Sequence, residues 1–180
     1  MSYKKFRLEN LNTGTSSELP AHEGVLGPDV IDVGRLYREQ GAFTFDPGFV
    51  ETASCESQIT FIDGEEGVLL YRGYPVEQLA KQSNFLEVCY LLLSGELPTA
   101  EEMDRFRHSI LHHTMINQTL LRFFNGFHYN AHPMAMVSGV VGSMSAFYHD
   151  SMDIERPGHR EIFAHRIIAK MPTISAAAYK

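Results

Sequence analysis

Cysteine is scarce in this sequence, and basic residues are outnumbered by acidic ones. The 180 residues include two cysteines, Cys55 and Cys89, and no CxxC pair, so neither a zinc ribbon nor a CxxC redox motif is supported. Lysine and arginine total 15 against 22 aspartates and glutamates, which gives a formal net charge of −7. A general nucleic-acid binder needs clustered cations to displace phosphate counterions, so this class of function is disfavoured.

The sequence also lacks a long hydrophobic segment. Its first residues, MSYKKFRLEN, are polar and contain no apolar core of a signal peptide. The longest stretch without a charged residue or histidine, residues 133–148, carries three serines and is shorter than the roughly 20 apolar residues that a membrane helix needs. These absences predict a protein that binds neither membranes nor nucleic acids, and the few cysteines favour a reducing cytoplasm.

Glycine and proline interrupt the N-terminal third of the chain at short intervals. Between them lie short β-prone pieces at residues 30–33 and 43–45. This pattern predicts a small β-rich N-terminal module over residues 1–73. Within it, residues 59–63 and 68–72 flank the turn Gly-Glu-Glu-Gly and are predicted to pair as a hairpin over residues 59–72.

From residue 74 onward the apolar spacing becomes helical, so residues 74–180 are predicted to form the first helices of a large α-helical domain. Pro75 suits a first helical turn, Gly95 suits a helix end, and Thr99 with Glu102 matches a capping box. Further helices are predicted at residues 117–126, 133–148, 159–170 and 173–180.

The last predicted helix, residues 173–180, is apolar from Ile174 onward and has no visible cap or partner in the sequence. Several earlier helices are apolar around much of their circumference, as the buried helices of a large protein are. We therefore expect a mainly α chain that is truncated, being either the front part of a larger helical assembly or completed by a partner.

The histidines give no clear metal site. His108 and His112 stand four residues apart, which is a spacing found in metal-binding helices, and His113 follows. A catalytic zinc helix would carry a glutamate after the first histidine, where this chain has Ser109. No third ligand is evident, so we interpret these histidines as polar-face residues and predict no metal. The sequence also contains no GxSxG motif, Walker loop or GxGxxG motif.

One pair of cations suggests binding of an anion. Arg166 and Lys170 are four residues apart and therefore share a helix face, and Arg160 and His165 belong to the same predicted helix. Two cations on one face can clamp a phosphate. The alternative is that these residues form the ordinary solvent-facing stripe of an amphipathic helix.

Five ordered stretches resemble the N-terminal part of the citrate synthases, in particular the bacterial type II, hexameric, NADH-regulated kind. The resemblance covers the chain from about residue 24 to residue 180. The stretches are FTFDPGFVETASCESQITFIDGEEGVLLYRGYPVEQLA, NFLEVCYLLLSGELPT, HTMI, AHPMAMVSGVVGSMSAFYHDS and HREIFAHRIIAKMPT.

This resemblance implies a fold and a reaction. The fold is the large helical domain of citrate synthase preceded by a small β-rich module. The reaction condenses acetyl-CoA with oxaloacetate and water to give citrate and CoA, with no cofactor for the chemistry. The family's two catalytic histidines, its catalytic aspartate and its oxaloacetate-binding arginines have no counterpart among residues 1–180. The resemblance therefore implies that this chain carries no catalytic residue and is inactive alone.

The resemblance also implies an allosteric site for NADH as inhibitor and assembly into a homodimer or homohexamer. His112 stands where relatives carry an arginine, and helix 133–148 is expected to pack against a dimer mate or, alternatively, within its own chain. Two other functions stay open: a non-catalytic nucleotide-binding or oligomerisation module, and a 2-methylcitrate synthase fragment. The residues that match the NADH site are His113, Thr114, Met115, Tyr148, Arg166 and Lys170.

Overall fold

The computed structural model describes residues 4–179, so Lys180, which ends the last predicted helix, lies outside the described residues. These residues form two small β-sheets, with one short helix between them in the sequence, and then a series of helices, which confirms the predicted mainly α fold with a β-rich module in front. The strands are β1 (Lys5–Glu9), β2 (Ser16–His22), β3 (Val30–Ile31), β4 (Thr60–Asp63), β5 (Val68–Tyr71) and β6 (Tyr74–Pro75). The α-helices are α1 (Leu36–Gln40), α2 (Val76–Gln82), α3 (Phe85–Ser94), α4 (Ala100–His112), α5 (Gln118–Arg122), α6 (Pro133–Ser143) and α7 (Pro157–Tyr179).

The chain divides into two compact units. The first comprises residues 1–84 and 91–96, and the second comprises residues 85–90 and 97–180. The domain boundary predicted after residue 73 stays a prediction. Within residues 4–179, no helix combines the length and the apolar character that crossing a membrane requires.

The first sheet has the antiparallel order β1-β2-β3, and alternate residues of β2 face its small core. The prediction of a strand at residues 43–45 was wrong, because these residues have no strand beside them with which to pair. Phe45 is 91% exposed, and the ring of Phe43 stacks on Tyr37 of α1 with 4.4 Å between ring centroids. The sequence analysis did not predict α1.

The predicted hairpin is confirmed. Strands β4 and β5 pair in an antiparallel register that sets Thr60 opposite Tyr71 and Asp63 opposite Val68. The Asp63 carboxylate accepts hydrogen bonds from the backbone N–H groups of the two glutamates in the turn, at 3.1 and 3.0 Å. Directly after the hairpin, Arg72 donates from Nη2 to the carbonyl of Leu92 at 2.9 Å. The hairpin thus acts as a scaffold of the first unit.

Polar side chains fix the beginnings of the helices in the second unit. The capping box of α4 is present, because Thr99 Oγ1 accepts from the Glu102 N–H and the Glu102 carboxylate accepts from the Thr99 N–H. Asn117 caps α5 and His132 caps α6, each with a side-chain atom that accepts one backbone N–H of the first turn. Helix α5 continues as a 3-10 turn over Phe123–Gly126, so the predicted segment 117–126 is helical as expected.

The core of the second unit lies where α5, α6 and α7 meet. Leu120, Val140, Met144 and Ile174 are fully buried there, and they form one cluster. On α6, a Cβ added to Gly139 would lie 3.1 Å from a ring carbon of Phe127, so this glycine allows close intrachain packing. One face of α6 is therefore covered within the chain, while its predicted packing against a dimer mate stays a prediction.

Helix α7 runs without interruption through Pro172, whereas the sequence predicted two helices separated there. A proline inside a helix removes one N–H donor, and its ring crowds the carbonyl four residues earlier. The burial of Ile174 and Ala178 beyond the proline offsets this cost, because the helix must continue to bring them into the core. The prediction was wrong because local propensity was overruled by packing.

His165 sits on the side of α7 that faces α4. A hydrogen bond of 2.8 Å joins its Nδ1 to Ser109 Oγ, and its ring meets the ring of Phe106 edge to face at 5.0 Å between centroids. Burial lowers the pKa of His165, although the charge of Glu161 opposes this effect. The histidine is therefore packed as a neutral group between two helices.

We expect Pro172→Ala to stabilise the protein. The substitution restores an N–H donor in the middle of α7 and should raise the free energy of unfolding by about 1 to 3 kcal/mol in urea denaturation. Thr173→Ala is the matched control, since it alters the next exposed helical position and should change stability by a few tenths of a kcal/mol. Equal or lower stability of Pro172→Ala would show that the proline is accommodated without cost.

We expect stability to fall as the pH drops below about 6.5, the ordinary histidine pKa. The pKa of His165 is lowered on folding, so the unfolded chain binds more protons in this range and the stability present above it is lost toward acid. Urea midpoints measured between pH 5 and 7 should decline less steeply for His165→Gln than for wild type. Equal slopes for wild type and His165→Gln would contradict the assignment.

Candidate anion-binding site

The two cations of α7 are buried, which rules out the solvent-facing stripe that the sequence left open. Arg166 is 8% exposed and Lys170 is 2% exposed. A buried charge is costly unless it is paired and hydrogen-bonded. The partners of these two side chains therefore define the site.

Arg166 is held by the segment that precedes α7. Its two terminal nitrogens donate to the two carboxylate oxygens of Asp150, each at 2.7 Å, and Nη1 also donates to Ser151 Oγ at 2.8 Å. This is the bidentate geometry that guanidinium and carboxylate favour. The pairing lowers the pKa of Asp150 and raises that of Arg166. Arg166 Nε is buried and has no hydrogen-bond partner among residues 4–179.

Lys170 is held by backbone carbonyls where α4 ends. Its Nζ donates to the carbonyl of His113 and, at 2.7 Å, to that of Met115. Carbonyls at the end of a helix carry a partial negative charge that favours a cation. Burial, together with the nearby charge of Arg166, lowers the pKa of Lys170.

Tyr148 lies against both cations. Its ring centroid is 4.8 Å from the guanidinium carbon of Arg166 and 5.2 Å from Lys170 Nζ, within the range of cation–π attraction. Burial raises the pKa of the phenol, which keeps it a neutral hydroxyl. The aromatic face and the two positive charges thus form one surface.

The structure brings most of the predicted NADH-site residues together. His113 is half-buried, and burial together with the charges of Arg166 and Lys170 lowers its pKa, so its ring is a neutral hydrogen-bonding group. Thr114 bonds its hydroxyl back to the Leu111 carbonyl at 2.9 Å. The backbone carbonyl of Met115 accepts a hydrogen bond from Lys170, and Met115 itself is 81% exposed. Their predicted role in binding NADH stays a prediction.

Asp150 and Ser151 were missed by the sequence analysis. They lie in a 3-10 turn, His149–Ser151, far from Arg166 along the chain. No spacing rule connects such positions, and a polar residue in a loop gives no signal of its own. Arg160, by contrast, donates to the Ile154 carbonyl at 2.6 Å, in the loop before α7.

A cavity of about 270 Å³ is lined in part by Ser151, the residue whose hydroxyl accepts a hydrogen bond from Arg166. Its lining is mostly apolar, with a cation and a histidine in addition. The lining residues include Ser151, Met152, Ile154, His159, Arg160 and Phe163. This lining suits an apolar group.

His108 and His112 face each other on the exposed side of α4, with 3.9 Å between ring centroids. The Nδ1 atom of His112 is occupied by the His108 carbonyl at 2.9 Å. Within residues 4–179, no three His, Cys, Asp or Glu side chains are grouped so that they could hold a metal ion.

The arrangement suits binding of an anion better than acid–base chemistry. A general base works best with a pKa near the working pH, whereas Arg166 holds the pKa of Asp150 below its ordinary value. Two cations, an aromatic hydroxyl and a neutral imidazole provide hydrogen-bond donors with positive charge. These are the groups that recognise phosphate.

Comparison with known proteins identifies the fold. Residues 48–180 match the family model described as citrate synthase, C-terminal domain. The citrate synthase of Pyrobaculum aerophilum shares 27% identity with a TM-score of 0.63, over 78% of this chain and 38% of that one. The enzyme of Thermotoga maritima shares 29% identity with a TM-score of 0.61, over 76% of this chain and 34% of that one.

A third structure, from the archaeon Thermoplasma acidophilum, is a ternary complex of citrate synthase with carboxymethyl coenzyme A and oxaloacetate. It aligns with a TM-score of 0.68 at 24% identity, over 76% of this chain and 35% of that one, which supports the fold. The chain thus spans between a third and two fifths of the length of these structures. With the family model matching well over half of its residues, the chain belongs to the citrate synthase family.

Proposed function

We propose that this chain is the N-terminal portion of a bacterial type II citrate synthase, which condenses acetyl-CoA with oxaloacetate and water to give citrate and CoA at the entry of the tricarboxylic acid cycle. The observation that carries the proposal is the family match over residues 48–180, supported by the fold. The ternary complex of a relative with carboxymethyl coenzyme A and oxaloacetate supports the choice of substrates.

The catalytic groups of this enzyme lie outside these 180 residues. The motifs that resemble the family include none of its catalytic histidines, its catalytic aspartate or its oxaloacetate-binding arginines. Asp150 does not replace them, because its carboxylate is paired with Arg166 and has a lowered pKa. The chain supplies the scaffold and a regulatory surface instead.

The regulatory surface is an allosteric site for NADH built on α7. A dinucleotide carries a diphosphate, which Arg166 and Lys170 suit as a cation pair on one helix face. It also carries flat rings, and Tyr148 offers an aromatic face next to those cations. His113, held neutral, provides a hydrogen-bonding group to complete the site with Thr114 and Met115.

The same proposal extends to assembly and location. A homodimer, and from it a homohexamer, would cover the face of α6 that the chain leaves open, where Met134 is 64% exposed. Cys55 and Cys89 are both free thiols, which suits the reducing cytoplasm.

We expect the purified 180-residue chain to release no CoA thiol from acetyl-CoA in the presence of oxaloacetate. The citrate synthase polypeptide that contains this chain should release it, and should use acetyl-CoA faster than propionyl-CoA. Turnover by the 180-residue chain above an enzyme-free blank would refute the assignment. A preference for propionyl-CoA would favour a 2-methylcitrate synthase.

We expect Arg166→Lys in the complete polypeptide to weaken inhibition by NADH. Lysine keeps the charge but loses the planar fork, so the NADH concentration for half-inhibition should rise at least about tenfold, the equivalent of one lost charge-assisted contact. Inhibition is measured relative to the uninhibited rate of each variant, so that a change in the amount of folded enzyme cancels.

The matched control is Arg107→Lys, an exposed arginine of α4. It should leave the half-inhibition concentration where it is in the wild type. Equal values for wild type and Arg166→Lys would remove Arg166 from the NADH site. NADH binding to a complete polypeptide that makes no citrate would favour the non-catalytic nucleotide-binding module.

A further inference from the structure

The ion pair between Arg166 and Asp150 is strongly asymmetric in its burial. The Arg166 side chain is 10% exposed, whereas the Asp150 side chain is 66% exposed. Arg166 is anchored on α7, and Asp150 lies in the short 3-10 turn His149–Ser151. The buried partner is fixed by its helix, and the exposed partner can be hydrated if it leaves.

We propose that Asp150 is an internal counter-ion that occupies the anion site, so that a phosphate-bearing ligand binds Arg166 only by displacing the Asp150 carboxylate. The inference rests on the anion-binding role proposed above for Arg166 and Lys170. It adds that the Asp150 carboxylate competes with the phosphate for Arg166 and thereby sets the affinity of the site for phosphate.

The donors of Arg166 show why displacement is required. Both hydrogens of Nη1 are used, one by Asp150 and one by Ser151, and Nη2 donates one of its two hydrogens to the second oxygen of Asp150. The other Nη2 hydrogen belongs to the edge that Nη2 shares with Nε. The remaining nitrogen, Nε, is buried. A phosphate therefore finds no accessible bidentate edge on Arg166 while Asp150 is in place, and its own charge would repel the carboxylate.

Lys170 cannot substitute for Arg166 as the first contact. It is 2% exposed, and it donates to the carbonyls of His113 and Met115. Once the Asp150 carboxylate leaves, the buried guanidinium lacks a counter-ion, which is costly. The incoming phosphate supplies the missing negative charge, so Arg166 is paired with an anion both before and after the exchange.

The competitor lowers the apparent affinity in proportion to the fraction of molecules in which Arg166 is free. Removal of the carboxylate should therefore tighten binding. We expect Asp150→Asn in the complete polypeptide to bind inorganic pyrophosphate about tenfold more tightly than wild type, measured by isothermal titration calorimetry at low ionic strength.

The matched control is Asp153→Asn, which removes the same charge from the same loop. The Asp153 carboxylate pairs with Arg156 at 3.1 Å. If the loss of one negative surface charge were enough to tighten pyrophosphate binding, both variants would bind it equally more tightly, and the proposal would be overturned. It would also be overturned if Asp150→Asn bound pyrophosphate no better than wild type, or if neither protein bound it.

A second measurement covers the case in which Asp150→Asn does not fold. A crystal structure of the wild-type polypeptide with pyrophosphate should show the anion on Arg166 and the Asp150 carboxylate more than 4 Å away. Pyrophosphate bound to Arg166 beside an intact ion pair, or bound only elsewhere, would contradict displacement.

These outcomes are separate from the test of NADH regulation. Tighter pyrophosphate binding by Asp150→Asn, with NADH inhibition unchanged in Arg166→Lys, would support the internal counter-ion and remove NADH as the effector. Inhibition that depends on Arg166 but not on Asp150 would support the NADH site and remove the counter-ion.

Discussion

The second unit depends on how two positive charges are buried on one face of α7. Burial of an unpaired cation is far more costly than a typical hydrogen bond is worth, so Arg166 and Lys170 must bring acceptors with them. Lys170 takes the carbonyls that follow α4, and Arg166 takes Asp150 and Ser151. These polar contacts fix the end of α4 and the turn before α7 relative to one helix, which the apolar core alone would position less specifically.

Features encoded within a few residues of one another were predictable from the sequence, and features that depend on distant partners were not. The hairpin turn and the capping box at Thr99 satisfy their own backbone groups locally, so their patterns were sufficient. Residues 43–45 have the composition of a strand, but a strand exists only with a neighbour. A proline such as Pro172 usually marks the end of a helix, yet α7 continues past it, because Ile174 is buried in the core. In both cases packing, which the local sequence does not contain, decided the outcome.

In the candidate site, too, local features were predictable from the sequence and distant contacts were not. The spacing of Arg166 and Lys170 correctly predicted a shared helix face, because helical geometry fixes it. Whether that face meets solvent or protein depends on what packs above it, and only the structure shows that both cations are buried. The acceptors were beyond prediction for a further reason. Two of the four are backbone carbonyls, which carry no sequence signal, and the other two are the side chains of Asp150 and Ser151 in the segment before α7.

The use of the same atoms for stability and for binding has a consequence for selectivity. An anion that replaces Asp150 must restore what the carboxylate provides: a negative charge and two oxygens at the spacing of the guanidinium fork. A halide ion brings the charge but only one acceptor centre, so the two parallel N–H groups must converge on a single ion and each hydrogen bond is bent. A phosphate brings charge and several oxygens, and therefore completes the exchange. On this proposal, a site that is already satisfied in its empty state would disfavour weakly bound anions by competition and would favour ligands whose geometry matches its own counter-ion.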